Sequence, residues 1–409
     1  GAWMMGSEIP SFCSRAFMRP NSIALRPSNQ PPIAHKQADR AVNGLARLAC
    51  QAGAMAAKYE TLDGLRGIAA IAVLLYHLES PLHVAAEAGY LAVDLFFLMS
   101  GFVVAGAYEA RLLAGWSVGA FMRVRLRRLW PLYAAGLALG IACFELIRVI
   151  RPDLGVVFPA MPVAAAALLS LFFLPQLQPY GGPAFPFNAA SWSLSVEIFG
   201  NLLYAVFARH LRNRLLVVSV AFGFAGLVLC IVQAGGLDVG VGKIGGGYLR
   251  FLFSFPLGVL LHRLHAIGRL RIPRVPPALP LLLTVAICAG VFGHGGVTDL
   301  VAVSLGFPAI LVMSLGHSSS PRLARWFGWA GAVSYALYVL HPPLIELAVA
   351  LFGPHPGAFA ALILDGAIIA FAALAERYFD RPLQRYLRSV DIAPPPPRLA
   401  ERARGTEEI

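Results

Sequence analysis

Long apolar runs that alternate with short polar loops make up most of the chain. A helix needs about 20 apolar residues to cross the hydrocarbon of a bilayer. The runs are continuous and do not alternate in the ten-residue units of a membrane β-barrel. The pattern therefore predicts an all-α polytopic membrane protein. The candidate segments are 67–84, 89–108, 129–150, 156–175, 191–208, 214–234, 248–262, 276–293, 298–316, 331–352 and 357–379.

Basic residues mark one set of loops and are missing from the other set. Because Lys and Arg concentrate in cytoplasmic loops, the basic stretches before Leu62 and after Arg209 predict that both termini are cytoplasmic. This orientation requires an even number of crossings before Arg209, where five candidates lie. We therefore expect about ten transmembrane helices. The segment that does not span is one of 129–150, 156–175 and 191–208.

Composition agrees with this fold class. The 409 residues are 58% apolar and only 13% charged, whereas soluble proteins contain about 25% charged residues. The net charge of +12 lies in the membrane-flanking loops, so we expect no nucleic-acid partner. The five cysteines predict no disulfide framework. Three of them lie in apolar runs, where we expect small core residues: Cys143, Cys230 and Cys288.

The chain ends differ from the apolar body. Residues 1–57 are rich in Pro, Ser, Ala and Arg and hold no long apolar run, so we expect a disordered arm, with Met55 as a candidate true start. Residues 58–388 form the predicted transmembrane domain. Residues 389–409, which include a run of four prolines, are expected to be a disordered tail.

The segment that begins at Leu62 carries two ionisable groups in a membrane helix. It reads LDGLRGIAAIAVLLYH, with Arg66 and His77 separated by ten residues, or about 16 Å along a helix axis. We expect Arg66 near one membrane face, suited to an anionic ligand, and His77 toward the outer half, suited to proton transfer. Asp94 in the next helix should lie at a similar depth and orient His77. A His–Asp bond that only locks two helices is the alternative.

Four arginines precede the third apolar run in FMRVRLRRLWPLY. Arg125 and Arg128 are three residues apart and share one helical face. The stretch is either an anchor that touches anionic lipid or a clamp for the phosphates of a soluble donor such as coenzyme A. Composition alone favours the anchor.

Two further segments place polar groups in apolar surroundings. ASWSLSVEIFGN holds Trp192, Ser195 and Glu197, and a buried carboxylate is costly unless it is neutral or paired. SYALYVLHPPL holds His341 before two prolines, which should kink the helix. His341 is either a satisfied core histidine or part of a cavity wall. No His, Cys and Glu set has metal-ligand spacing, so we expect no metal.

Taken in order, these motifs resemble the membrane acyltransferase-3 family over about residues 58–385. The resemblance rests on six elements: Arg66-x10-His77, VDLFFLMSGF at 93–102, R-x-x-R-L-x-P at 125–131, WSLSVE at 192–197, SYALYVLH at 334–341 and RYFDRP at 377–382. One departure is Ile198, where the family often has a second acid or Gln. The resemblance implies ten helices and an O-acyltransferase of the bacterial inner membrane.

The resemblance also implies substrates and roles. The donor would be acyl-CoA, with acetyl-CoA expected, and the acceptor a hydroxyl of a carbohydrate or glycolipid. Membrane lipid and polysaccharide biosynthesis machinery are the expected partners. The expected catalytic residues are His77, Asp94 and Glu197. The expected donor-binding residues are Arg66, Arg125 and Arg128. The expected acceptor-binding residues are Trp192, Ser195 and His341.

A second function class fits part of the same pattern. Intramembrane His, Asp and Glu residues and kinked helices also suit a proton-coupled transporter or flippase of a glycolipid. The arginine cluster separates the two hypotheses, because a transporter does not need coenzyme A.

Overall fold

A computed structural model of the chain describes residues 59–154, 162–176, 183–240, 245–316 and 320–390. The predictions for residues 1–57 and for nearly all of 389–409 lie outside these ranges. Within them the regular secondary structure is helical. The α-helices are α1 (Glu60–His77), α2 (Ala92–Leu113), α3 (Val118–Ile150), α4 (Val163–Leu171), α5 (Ser191–Phe207), α6 (Asn213–Ala234), α7 (Gly246–Ala266), α8 (Ala278–Cys288), α9 (Gly296–Val301), α10 (Phe307–Met313), α11 (Pro321–Phe352), α12 (Ala358–Ala375) and α13 (Arg381–Ser389).

The predicted all-α membrane fold is confirmed. In the described ranges, six helical stretches are long and apolar enough to cross a membrane: Gly89–Leu113, Val118–Ile150, Asn213–Ala234, Gly296–Gly316, Pro321–Phe352 and Ala358–Ser389. Helix α4 has 9 residues and is therefore about 13 Å long. This is less than half of the roughly 30 Å hydrocarbon core. The total of ten crossings stays a prediction.

Helix α1 lies in the interior of the bundle and packs most extensively against α11. Glycines allow this close approach. A Cβ on Gly67 would lie 2.5 Å from the Cβ of Ala330, and one on Gly64 would lie 2.6 Å from the ring of Phe327. Since membrane helices associate through small residues, this pattern holds the Arg66 end of the Arg66-x10-His77 motif inside the bundle.

Helix α11 continues through Pro342 and Pro343. Proline has no N–H, so Pro343 leaves the carbonyl of Val339 without its usual partner four residues later. The Nδ2 of Asn188 donates to that carbonyl at 2.8 Å. The bundle thereby supplies the hydrogen bond that the helix lacks.

Three of the cysteines confirm their predicted place in the core. Cys143, Cys230 and Cys288 are buried, and their thiols are free. Each lies on the inward face of a helix, where small apolar residues fit close packing.

Candidate active site

Arginine side chains and acidic partners line one end of the bundle. Arg66 and Arg125 are both buried, at 7% and 3% exposure. Arg66 is hydrogen-bonded to Asp63 one turn earlier in α1. Arg125 donates to Glu197 at 2.8 Å, and Ser100 donates to the same carboxylate oxygen at 2.7 Å. Acidic partners thus stabilise the buried guanidinium groups.

A cavity opens beside these charges, with a volume of about 80 Å³. This is space for several water-sized groups. Polar side chains face it from five helices: Arg66, Ser100, Arg125, Ser193, Glu197 and Ser334. Tyr335, Tyr338 and several apolar side chains complete the wall. Such a cavity suits the narrow part of a ligand whose charged part is held by the arginines.

Arg128 lies one turn beyond Arg125 on α3 and is fixed by two contacts. It donates to Asp380 at 2.9 Å, and its guanidinium lies over the ring of Tyr335 at 5.4 Å. The predicted common face of Arg125 and Arg128 therefore carries both side chains into the bundle, where each meets an acid from a distant helix.

The structure brings two histidines together that are 264 positions apart in the chain. The rings of His77 and His341 lie 5.1 Å apart between centroids. The Nδ1 of His77 contacts the carbonyl of Val73 at 2.7 Å, and the Nδ1 of His341 contacts that of Leu337 at 3.0 Å. These contacts assign the proton to Nδ1 in both neutral rings. Each Nε2 is then the nitrogen with a free lone pair.

His77 lies at the end of its helix, and its depth in the membrane stays a prediction. His77 is the last residue of α1 and is exposed, whereas His341 is fully buried at 0% exposure. The helix ends there because Leu78 takes an extended conformation and Ser80 caps the next 3₁₀ turn through the N–H of Leu82. His77 therefore lies at the open end of the bundle, and His341 is the histidine inside it.

The predicted contact between Asp94 and His77 is wrong. Asp94 accepts two hydrogen bonds from Arg250, at 2.6 Å and 3.0 Å, and both side chains are 1% exposed. Because a buried guanidinium without an acidic partner is strongly destabilising, Arg250 pairs with this carboxylate. Asp238, which lies outside the helices, is the acid whose charge acts on His77.

Two residues expected at the acceptor site have different surroundings. The ring of Trp192 lies under the Arg250 guanidinium, 5.6 Å from it. Ser195 is 0% exposed and donates to the carbonyl of Phe173 at 2.6 Å, and its expected contact with substrate stays a prediction. Positions two apart on a helix point to different sides. Ser193, not Ser195, therefore faces the cavity, and its Oγ lies 2.5 Å from the Tyr338 hydroxyl.

Glu197 and His341 do not line a common site. Glu197 belongs with Arg125, whereas His341 contacts His77 and Tyr338, with 5.9 Å between its ring and the tyrosine ring. Tyr338 lines the cavity and is thus the connection between the arginine end and the histidine pair. No sequence signal distinguished Tyr338 from other aromatic residues.

The sequence does contain a signal for Arg250 as a buried functional or structural group, because a single Arg interrupts the apolar run 248–262.

In the ranges that the structure describes, no group of three or more His, Cys, Asp and Glu side chains could hold a metal ion. The arrangement instead combines buried cations at one end with a pair of imidazoles toward the other. Cations hold anionic groups, and imidazole accepts a proton or an acyl group. Fold and site therefore define a polytopic membrane protein built for group transfer.

The family follows from comparison with known proteins. The model of the acyltransferase-3 family, described as an acyltransferase domain, matches residues 59–376. The chain belongs to this family, and it is an acyltransferase enzyme. No solved structure matches the chain.

Named relatives cover long parts of the sequence. The exopolysaccharide production protein ExoZ of Rhizobium meliloti is 30% identical over 312 residues, which cover 73% of this chain and 90% of that protein. Protein 2 in the picA locus of Rhizobium radiobacter is 35% identical over 176 residues, 40% of this chain and 91% of that protein. The peptidoglycan O-acetyltransferase OatA of Listeria monocytogenes is 24% identical over 80% of this chain but 56% of its own length.

Proposed function

We propose that this protein is an O-acyltransferase of the bacterial inner membrane. It moves an acyl group, expected to be acetyl, from acyl-CoA to a hydroxyl of a saccharide or glycolipid of the cell envelope or of an exported glycan. Family membership supports the reaction class. The names of two relatives, one an exopolysaccharide production protein and one a peptidoglycan O-acetyltransferase, support a carbohydrate acceptor and the machinery of polysaccharide synthesis as its context.

The donor would enter at the arginine end. Arg66 and Arg125 line the cavity, Arg128 lies one turn beyond Arg125, and guanidinium groups bind phosphates in bidentate fashion. Basic loops predict that this end faces the cytoplasm, where acyl-CoA is found. The narrow cavity suits the pantetheine arm and its thioester, while the charged nucleotide part stays with the arginines.

The chemistry would take place at the histidine pair. In the direct route, Nε2 of His77 takes the proton of the acceptor hydroxyl as its oxygen attacks the thioester carbonyl. The carbon–sulfur bond then breaks, and the proton passes to the departing thiolate. In the alternative route, Nε2 attacks the thioester carbonyl, and the carbon–sulfur bond breaks with release of the coenzyme A thiolate. The acceptor hydroxyl then attacks the acyl group on Nε2, the bond to nitrogen breaks, and the hydroxyl proton passes to the thiolate. His341, directly beside His77, would relay protons or hydrogen-bond the acceptor.

The observation that carries this proposal is the chain of contacts from the cavity to the histidines. Tyr338 lines the cavity together with Arg66 and Arg125. It also contacts His341, whose ring lies 5.1 Å from that of His77. Eleven helical steps lead from Arg66 to His77, or about 16 Å. An extended pantetheine arm can reach across such a distance. An acceptor that approaches from the opposite side would meet the exposed ring of His77.

Purified protein in vesicles tests the proposal. Wild type should release thiol from acetyl-CoA and transfer labelled acetyl to an added polysaccharide. Arg66→Gln should raise the KM for acetyl-CoA at least tenfold with a smaller effect on kcat, because one charge-assisted phosphate contact contributes about 1.5–3 kcal/mol. Arg274→Gln, which removes a charge from an exposed loop, is the matched control.

The transporter hypothesis gives the opposite result. A proton-coupled flippase would neither bind acetyl-CoA nor release thiol. There would then be no KM for acetyl-CoA that Arg66→Gln could raise. Absence of thiol release from folded wild-type protein with several acyl-CoA donors would therefore exclude the proposed enzyme.

A further inference from the structure

The end of α12 carries a basic cradle that the proposed reaction does not use. We define the basic cradle as the cavity of about 670 Å³ lined by Trp329, Ala370, Ala373, Leu374, Glu376, Arg377, Tyr378, Arg381 and Arg385. It lies where α12 passes through a π-helical turn, Glu376–Asp380, into α13. We propose that the basic cradle binds the headgroup of an anionic phospholipid of the bilayer leaflet at the arginine end.

Charge is the first reason. Arg377, Arg381 and Arg385 recur at intervals of four and line one cavity, whereas the cradle has a single acid, Glu376. Arg381 donates to both oxygens of Glu376, each at 2.9 Å. In the described part of the chain Arg385 forms no hydrogen bond, and Arg377 only lies over the ring of Tyr378 at 5.4 Å. Two guanidinium groups thus remain for a phosphodiester.

The apolar wall decides in favour of a lipid over a soluble anion. Ala370, Ala373 and Leu374 continue the cradle along α12, and Leu374 is 54% exposed, as expected of a surface that meets acyl chains. A free phosphate or nucleotide would not need this wall. Basic pockets beside transmembrane helices at the cytoplasmic face are typical sites for anionic lipid headgroups.

Aromatic side chains place the cradle at the level of the headgroups. Trp329 is 43% exposed and Tyr378 68% exposed. Trp and Tyr concentrate at membrane interfaces, where the ring meets both hydrocarbon and water. The cradle therefore has arginines for the phosphate of a phospholipid, aromatic rings at the level of its interface, and an apolar wall for its acyl chains.

The cradle is held in place from its other side. Gln384 of α13 donates to the carbonyl of Arg127 at 3.0 Å, and Asp380 accepts from Arg128 at 2.9 Å. These contacts fix α13 against α3, although α13 buries none of its own side chains. The arginines are thus oriented before a lipid arrives, and binding loses less conformational entropy.

Native mass spectrometry of the purified full chain, titrated with phosphatidylglycerol or phosphatidylcholine, tests the proposal. Wild type should retain phosphatidylglycerol in preference, and millimolar inorganic phosphate should not displace it. Arg377→Gln with Arg385→Gln should weaken that binding about tenfold or more, because each basic residue near an anionic surface contributes about a factor of five. Arg271→Gln with Arg274→Gln removes the same charge from another loop and should leave binding unchanged.

A second measurement follows tryptophan fluorescence and leaves every arginine of the basic cradle unchanged. Phosphatidylglycerol brominated in its chains should quench tryptophan fluorescence, and Trp329→Phe should reduce that quenching. Equal retention of the two lipids, equal binding by the double variant, or displacement by inorganic phosphate would overturn the proposal. None of these readouts requires acyltransferase activity, so failure here is distinct from failure of the proposed reaction.

Discussion

At the scale of single residues, pairing between distant helices decides what each charged group does. Asp94 holds Arg250, Glu197 holds Arg125, and Asp380 holds Arg128. Each of these acids is thereby paired with an arginine. The ion pairs stabilise the fold around the proposed site.

The pair between Asp94 and Arg250 gives a test at this scale. Asp94→Leu should destabilise the protein by about 3–5 kcal/mol, because it leaves a buried guanidinium unpaired. Asp94→Leu combined with Arg250→Leu should destabilise it less than Asp94→Leu alone. Denaturant unfolding followed by circular dichroism measures both. If Asp94→Leu lowered activity but kept the unfolding midpoint of wild type, the pair would not be structural.

Several site residues could be predicted from the sequence, and their partners could not. An ionisable residue in an apolar run is visible in the sequence, which is why Arg66, His77, Asp94 and Glu197 were identified. The depth argument paired Asp94 with His77 because their helices are connected by a short segment. Arg250, 156 positions after Asp94, competes for the same carboxylate with a full positive charge. Only the fold reveals that competition.

At the scale of helices, proline positions determine which backbone carbonyls need a partner from another helix, and glycine positions determine where helices lie close together. Four prolines lie inside long helices of the described ranges, at Pro131, Pro256, Pro342 and Pro343. For Pro131, Pro256 and Pro343, a side chain from elsewhere donates to the carbonyl that the proline frees four residues earlier. The donor and carbonyl pairs are Gln384 with Arg127 at 3.0 Å, Ser219 with Leu252 at 3.3 Å and Asn188 with Val339 at 2.8 Å. The predicted disturbance at proline is thus compensated between helices.

Close contact between α2 and α7 gives a second test. A Cβ on Gly101 would lie 2.1 Å from the carbonyl oxygen of Phe255, and one on Gly258 would lie 2.1 Å from that of Leu98. Gly101→Ala should therefore destabilise the protein by about 1–3 kcal/mol through overpacking. Thermal unfolding in detergent measures the change.

Gly366 in α12 is the matched control for that change. Nothing lies within 4 Å of a Cβ built there, and Ala favours a helix over Gly by up to about 1 kcal/mol. Gly366→Ala should keep or slightly raise the unfolding temperature. Equal unfolding temperatures for the two variants would contradict the close contact between α2 and α7.

Helix existence was easier to predict than helix length. Continuous apolar runs located the long helices, because burial in lipid demands them. The short α4 was less visible, since the run 156–175 is as apolar as its neighbours. Helix ends depend on local turns such as the Ser80 cap, which moved His77 from the expected interior of a run to the end of a helix.

At the scale of the whole molecule, the two ends of the bundle differ in charge. The loop 267–277 at one end carries Arg269, Arg271 and Arg274, whereas the segment 353–357 between α11 and α12 carries no Lys or Arg. The positive-inside rule predicts that the first loop is cytoplasmic and the second external.

Labelling with a membrane-impermeant maleimide tests this orientation. The buried thiols of Cys143, Cys230 and Cys288 should react slowly. With Cys13 and Cys50 replaced by Ser, Arg274→Cys and His355→Cys therefore provide one reactive thiol at each end. In intact spheroplasts, His355→Cys should be labelled, and Arg274→Cys only after the membrane is opened. The reverse pattern, or equal labelling of both, would contradict a donor site that faces the cytoplasm.

The most direct test of the central claim is the rate of acetyl transfer by His77→Ala. Loss of a general base typically lowers the rate about 10²–10⁴-fold, so His77→Ala should lose nearly all transfer while it inserts normally and still binds acetyl-CoA. His355→Ala, at a position whose side chain is 73% exposed, should keep the wild-type rate. Transfer by inserted His77→Ala within a few-fold of wild type would contradict the account.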